Sequence, residues 1–141
     1  PAAALELADG RMITGKTTDL LGPCAALLLN ALKELAGIPH SQPVISPAAI
    51  EPIQTLKTQY LGSKNPRLHM DEVLIALSVS AASDPNAQKA LEQLPNLKGC
   101  QAHTSVMVSD VDRKLFMKLS IQATFEAKYE NNSVIFPKKG I

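Results

Sequence analysis

Cysteine is scarce in this chain. Cys24 and Cys100 are the only two, they lie far apart, and no C-x-x-C pair occurs. A disulfide framework is not indicated, and a reducing cytoplasm is the expected location. Charge of one sign is also lacking, since the net value is +1 at pH 7. Without a basic field, neither nucleic acid nor a membrane surface is an expected partner. The one local excess is Lys57, Lys64 and Arg67 with no acid between them, which reads as a solvated loop. No apolar run reaches the roughly 18 residues that a membrane span needs. Signal-peptide pattern, internal repeat and low-complexity segment are all missing. Pro1 stands directly inside strand-like sequence without an initiator Met, so the chain reads as the C-terminal part of a longer protein.

What is present is 45% hydrophobic residues in 141, enough for one packed domain. That domain is expected over residues 1–130, with 131–141 as a tail. The stretch Asp9 to Gly37 organises it. Gly10, Gly15, Lys16 and Thr17 match the phosphate-loop pattern G-x-x-x-x-G-K-[ST]. A working loop must wrap its middle residues around an anion with N–H groups pointing inward. Arg11-Met12-Ile13-Thr14 contains β-formers and no glycine, and favours a strand. Asp9-Gly10 is a hairpin signal, with a strand near Leu5–Ala8 before it and Met12–Thr14 pairing back. The motif therefore reads as a hairpin.

Gly22-Pro23 starts an apolar helix and Gly37 ends it. Val44-Ile45 reads as a short strand, and Ser46-Pro47 as a cap with its first helical residue. Pro52 predicts a break or kink, after which Ile53, Leu56 and Tyr60 continue one face to Gly62. A second apolar helix is expected over 71–83 and a third from Asp84-Pro85, carrying Ala87, Ala90, Leu91 and Leu94. A strand over 101–108, a helix capped by Ser109 and a one-sided strand over 121–129 follow. Val134 to Phe136 is the only element expected in the tail. The alternation argues an α/β layered domain with a mixed sheet, the helices around Cys24–Leu35 and Val73–Ala82 lying on it.

Chemistry has three candidate places. If the strands run parallel, the junctions at Thr14–Thr18, Ile45-Ser46-Pro47 and Val108-Ser109-Asp110 share one sheet edge, where open α/β sheets bind ligands. Lys16, Thr17, Thr18 and Ser46 would meet an anion there, or Thr18 and Ser46 are only caps. Arg67, His69, Asp71 and Glu72 could bind a polar ligand or transfer protons, or the acids only complement a helix dipole. The polar loop after Gly62 could also fold over the edge of Lys16, Thr17 and Ser46, so that Arg67 or His69 contributes to the anion site there. Cys100 and His103 could form a nucleophile–base pair or share a metal, but three positions apart on a strand they face opposite ways. No metal site is assigned, and no cofactor.

Several stretches carry a resemblance: Thr14-Gly15-Lys16; Leu20-Leu21-Gly22 with Ala25 to Ala31; Ile50-Glu51-Pro52-Ile53-Gln54; Tyr60-Leu61-Gly62; Asn65-Pro66-Arg67-Leu68-His69; Asp71 to Leu77; and Glu92-Gln93-Leu94 to Gly99-Cys100. Through them the whole chain resembles the C-terminal domain of a family of bacterial proteins catalogued as domain of unknown function 1846. The resemblance implies a larger α/β region before Pro1. It also implies a three-layer α-β-α sandwich with a mixed sheet of about five strands, similar in topology to the cytidine deaminase fold. The deaminase zinc motif is absent: there is no H-x-E, and Pro23-Cys24 is followed by Ala25-Ala26, so zinc and deamination are not carried over. The expected function is an accessory domain that helps form a site for an anionic small molecule, phosphate- or nucleotide-like, with the preceding N-terminal domain. The alternatives are a structural domain that self-associates as a homo-oligomer, and a metal- or Cys/His-dependent hydrolase.

Overall fold

The computed structural model describes residues 1–127. It is a mixed α/β domain. Strands β1 (Ala2–Glu6), β2 (Met12–Lys16), β3 (Gln101–Thr104) and β4 (Gln122–Phe125) form one sheet in the order β2-β1-β3-β4. Five α-helices accompany it: α1 (Pro23–Ala36), α2 (Pro47–Thr55), α3 (Met70–Ala81), α4 (Pro85–Leu91) and α5 (Asp110–Lys118). β1 is antiparallel to both neighbours, and β3 and β4 are parallel. β2 and β3 therefore run the same way. Lys16 and Thr104 end at one edge, opposite Ala2 and Ala3.

The hairpin forms, with a longer turn than a two-residue loop. Leu7 N–H donates to Arg11 O and Gly10 N–H to Leu7 O, both at 2.9 Å, so Ala8-Asp9-Gly10 is a three-residue loop. Gly10 sits at φ +91°, the left-handed position such loops require. The pairing moves β1 to Ala2–Glu6, because β2 on one side and β3 on the other fix its register. Helix α1 has the expected bounds: Pro23 occupies the first position and Gly37, at φ 71°, closes the end.

Three expectations are corrected. Val44 and Ile45 are buried, but they sit in a bend between Pro43 and Pro47 and pair with no strand, which leaves four strands among the described residues instead of about five. Helix α2 runs through Pro52 without a break. Pro52 and Ala48, four residues before it, are both exposed, so the displaced carbonyl can turn to water. The helix then widens into a π turn over Leu56–Tyr60. The third concerns α3, which packs chiefly on α4, α1 and α5, behind α1 and away from the sheet. β3 and β4 are also shorter than expected. The end of the last strand expected, and all of 131–141, lie outside the described residues.

One face of the sheet is covered. Ala3, Leu5, Gly15, Ala102 and Thr104 are buried on it, with Ile13, Ala123 and Phe125 packed against the core. Helix α1 lies over β2 and β1 on this face, and α5 lies over β4, with Phe116 and Phe125 rings 6.2 Å apart. The approach of α1 to β2 is close enough to require glycine. A Cβ on Gly15 would stand 2.3 Å from Leu27 N and 2.6 Å from Leu27 Cα. The opposite face, with Ala2, Ala4, Glu6, Met12, Thr14, Lys16, Gln101, His103, Gln122 and Thr124, carries no helix of the described residues.

Candidate functional site

Sequence pattern alone gives Gly15-Lys16-Thr17 two meanings, and the geometry assigns each residue separately. Gly15 serves the α1 contact. Residues 12–16 are extended, so they do not wrap an anion as a phosphate loop does. Asn30, on α1, donates from Nδ2 to Thr14 O at 2.9 Å, satisfying a carbonyl on the outer side of the edge strand. Thr17 follows the strand and holds the chain start: its N–H and Oγ1 both donate to Pro1 O, at 3.1 and 3.3 Å. Thr18 Oγ1 accepts from Leu20 and Leu21 N–H at 3.1 and 2.9 Å, a hydroxyl turn that aims the chain into α1.

A cleft of about 470 Å³ opens beside this turn, lined by Lys16, Thr18, Asn30 and His40, with Leu21, Ala26 and Leu29 as its apolar floor. His40 reaches it from the loop after α1. Lys33, whose pKa is lowered by burial, pins that loop through an Nζ bond to His40 O at 2.8 Å. Arg67, which does not line the cleft, arrives beside Thr18 from a third segment. Leu68 N–H donates to Leu20 O and Gly22 N–H to Leu68 O, laying the 63–69 loop along residues 18–22. Arg67 Nε then donates to Thr18 O at 2.6 Å. Lys16, Thr17, Thr18 and Arg67 are thus brought to one edge. Ser46 does not line the cleft; it is exposed, and its hydroxyl makes no cap bond at the start of α2.

His69 parts from Arg67. It precedes α3, and its N–H donates to Glu72 Oε1 at 2.8 Å. The same oxygen accepts from Lys57 Nζ at 2.9 Å, and Lys57 also donates to Arg67 O. Lys57 is buried, so this pair clamps the loop onto α3 and the π turn. Asp71 is exposed and bonds only the adjacent Glu72 N–H. Of this cluster, Glu72 is thus engaged, through Lys57, in holding the Arg67 backbone.

The carboxylate missed by sequence reasoning is Asp112. It is buried on α5, and its Oδ1 accepts from Met70 N–H at 2.9 Å at the start of α3. Burial pushes its pKa up, opposed by the Met70 N–H and the His69 ring, while Asp71 and Glu72 push it further up. The Ser109-x-x-Asp112 spacing was the available signal, a capping pattern at the start of α5. No spacing marks Asn30 or His40, which the fold alone brings to the cleft.

Cys100 and His103 do not meet. Cys100 is buried, its thiol pKa raised by that burial. His103 is on the open face, with Nδ1 2.7 Å from Thr124 Oγ1 and Nε2 2.7 Å from Glu126 Oε2. Among the described residues no three His, Cys, Asp or Glu side chains are grouped to hold a metal ion, and no helix is long and apolar enough to cross a membrane.

A four-stranded mixed sheet backed by helices, with a cleft at one strand edge, defines a class of α/β domain and no reaction. Residues 1–135 match the family described as "Domain of unknown function DUF1846, C-terminal", and the chain belongs to that family. It is 59% identical to the UPF0371 protein of Corynebacterium efficiens over 134 residues, which cover 95% of this chain and 27% of that protein. Identity is 58% to the Corynebacterium diphtheriae UPF0371 protein and 46% to that of Streptococcus uberis, each over 134 residues, 95% of this chain and 27% of the relative. The chain thus spans about a quarter of the length of these curated relatives.

Proposed function

We propose that this domain completes a binding site for an anionic small molecule, phosphate- or nucleotide-like, whose other wall is the region that precedes it in the longer relatives. One observation carries the reading. Arg67 is tied to Thr18 across 49 positions of sequence, so a second cation joins Lys16 at the edge where Pro1 is also held. Two cations left facing water gain little from packing, and an anion between them gains charge-assisted bonds to both. The cleft supplies further donors from Thr18, Asn30 and His40. Preceding sequence would enter at Pro1, beside Thr17, and so beside the cleft.

The same reading makes this chain two layers of a three-layer α-β-α arrangement of deaminase-like topology in the longer, cytoplasmic protein. Self-association is the rival. It draws on the exposed apolar residues Ile75 and Val79, one turn apart on α3. Equilibrium titration of the full-length protein with inorganic pyrophosphate and a nucleoside triphosphate decides between them. Binding should weaken with salt, because the attraction is between partly exposed charges. Lys16→Ala should weaken it about tenfold with the unfolding midpoint unchanged, the size of one charge-assisted bond. A silent titration together with sedimentation as a dimer would favour the rival.

A further inference from the structure

We propose that the uncovered face of the sheet is the docking surface for the polypeptide that precedes this domain in its longer relatives. Domains bury each sheet face against another layer or leave it to water with polar side chains alternating outward. Strands β2, β3 and β4 present polar side chains on this face apart from Met12, but its centre is not built for water. Central strand β1 presents Ala2 and Ala4 there, and alanine is depleted in strands because it gives its cross-strand neighbours nothing to pack on. The result is a flat floor, with a shallow groove of about 210 Å³ between Ala4, Glu6, Met12, His103 and Thr124. Small residues at such a position allow another element to approach the backbone closely.

One of the polar groups around the floor is already paired. His103 uses both ring nitrogens, one on Thr124 and one on Glu126. Covering paired groups leaves fewer unsatisfied donors and acceptors than covering open ones. Met12, by contrast, is 61% exposed on this face and gains by burial.

The occupant follows from the chain path. The relatives are about four times as long as the segment matched, and the matched family is a C-terminal domain. Incoming chain must join β1, an interior strand, at Pro1. It emerges at the edge of the bare face and can fold back over it without crossing the helical layer. The docking shares with the site proposal this preceding region and Lys16, which stands opposite Ala2 on the same face. The two are read separately, docking by the protection of Met12 in the unsubstituted protein and the site by anion affinity, so either can fail alone.

Native Met12 reports the outcome without any substitution. The full-length protein is exposed to dilute peroxide beside a short unstructured methionine peptide, and sulfoxide at Met12 is followed by peptide mass spectrometry. Docking predicts oxidation of Met12 about tenfold or more slower than the peptide, at every protein concentration over a hundredfold range. Oxidation at the peptide's rate overturns the proposal. Protection that disappears on dilution overturns it too, because the cover is then a second copy of the chain.

Discussion

Gly15→Ala separates a structural glycine from a phosphate-loop glycine. The added Cβ would lie 2.3 Å from Leu27 N, 2.6 Å from Leu27 Cα and 2.9 Å from Ala26 C, where ordinary contacts run at 3.4–4 Å. All three atoms are helix backbone, so no side chain can swing aside. Relief requires α1 to retreat from β2 by about an ångström, and a gap of 0.5–1 Å forfeits roughly a quarter to a half of each dispersion contact. Helix α1 carries Cys24, Ala25, Leu27, Leu28, Ala31 and Leu32 into the core, so the loss is spread over many contacts. Overpacking of this kind costs about 1–3 kcal/mol and sometimes more, and the backbone clash places it at the upper end. Urea unfolding followed by circular dichroism should show the midpoint falling by about 1–3 M at an ordinary slope. Gly10→Ala is the control. Its Cβ meets nothing within 4 Å and it pays only for φ +91°, about 1–2 kcal/mol. A Gly15→Ala protein within about 0.5 kcal/mol of wild type would refute the packing argument.

Two other perturbations test the core and its buried acid. Leu28→Asp puts a charge without a partner at a position 2% exposed, so no cooperative thermal transition should remain; a sharp transition would contradict the placement of α1. Asp112→Asn keeps the acceptor for Met70 N–H and removes the titration. Burial raises the Asp112 pKa above its ordinary 3.8, so in the window just above that value the folded state holds a proton that the unfolded chain has released. Wild-type stability therefore gains relative to Asp112→Asn as pH falls from 7 towards 4. A stability difference that stays constant over that range would contradict it.

Much of this fold could be read because its signals are local. Pro23 and Gly37 punctuate α1 at both ends, Ser109 and Asp84 cap their helices with side-chain bonds, and Asp9-Gly10 marks the hairpin. The misreadings share a cause in tertiary context. Ala2 to Ala4 have no strand propensity, and only pairing on both sides makes them the central strand. Val44 and Ile45 have the propensity but no partner. At the site, Lys16 and Thr18 could be named because they end a strand. The approach of Arg67 to the same edge rests on a polar loop that would fold over it, and the Leu21–Leu68 bridge shows the path that loop takes. His40 and Asn30 carry no such mark. The role of Glu72 stayed hidden because its partner Lys57 is 15 residues away, in a turn whose π geometry no sequence pattern announces.

The central claim is that Lys16 and Arg67 act on one ligand. A double-mutant cycle reads this directly, with pyrophosphate affinity of the full-length protein measured for wild type, Lys16→Ala, Arg67→Gln and the pair. Two cations sharing one anion should couple by about 0.5–3 kcal/mol, the double variant losing less than the sum of the singles. Strictly additive losses, or no loss in either single variant, would contradict a shared site at this edge.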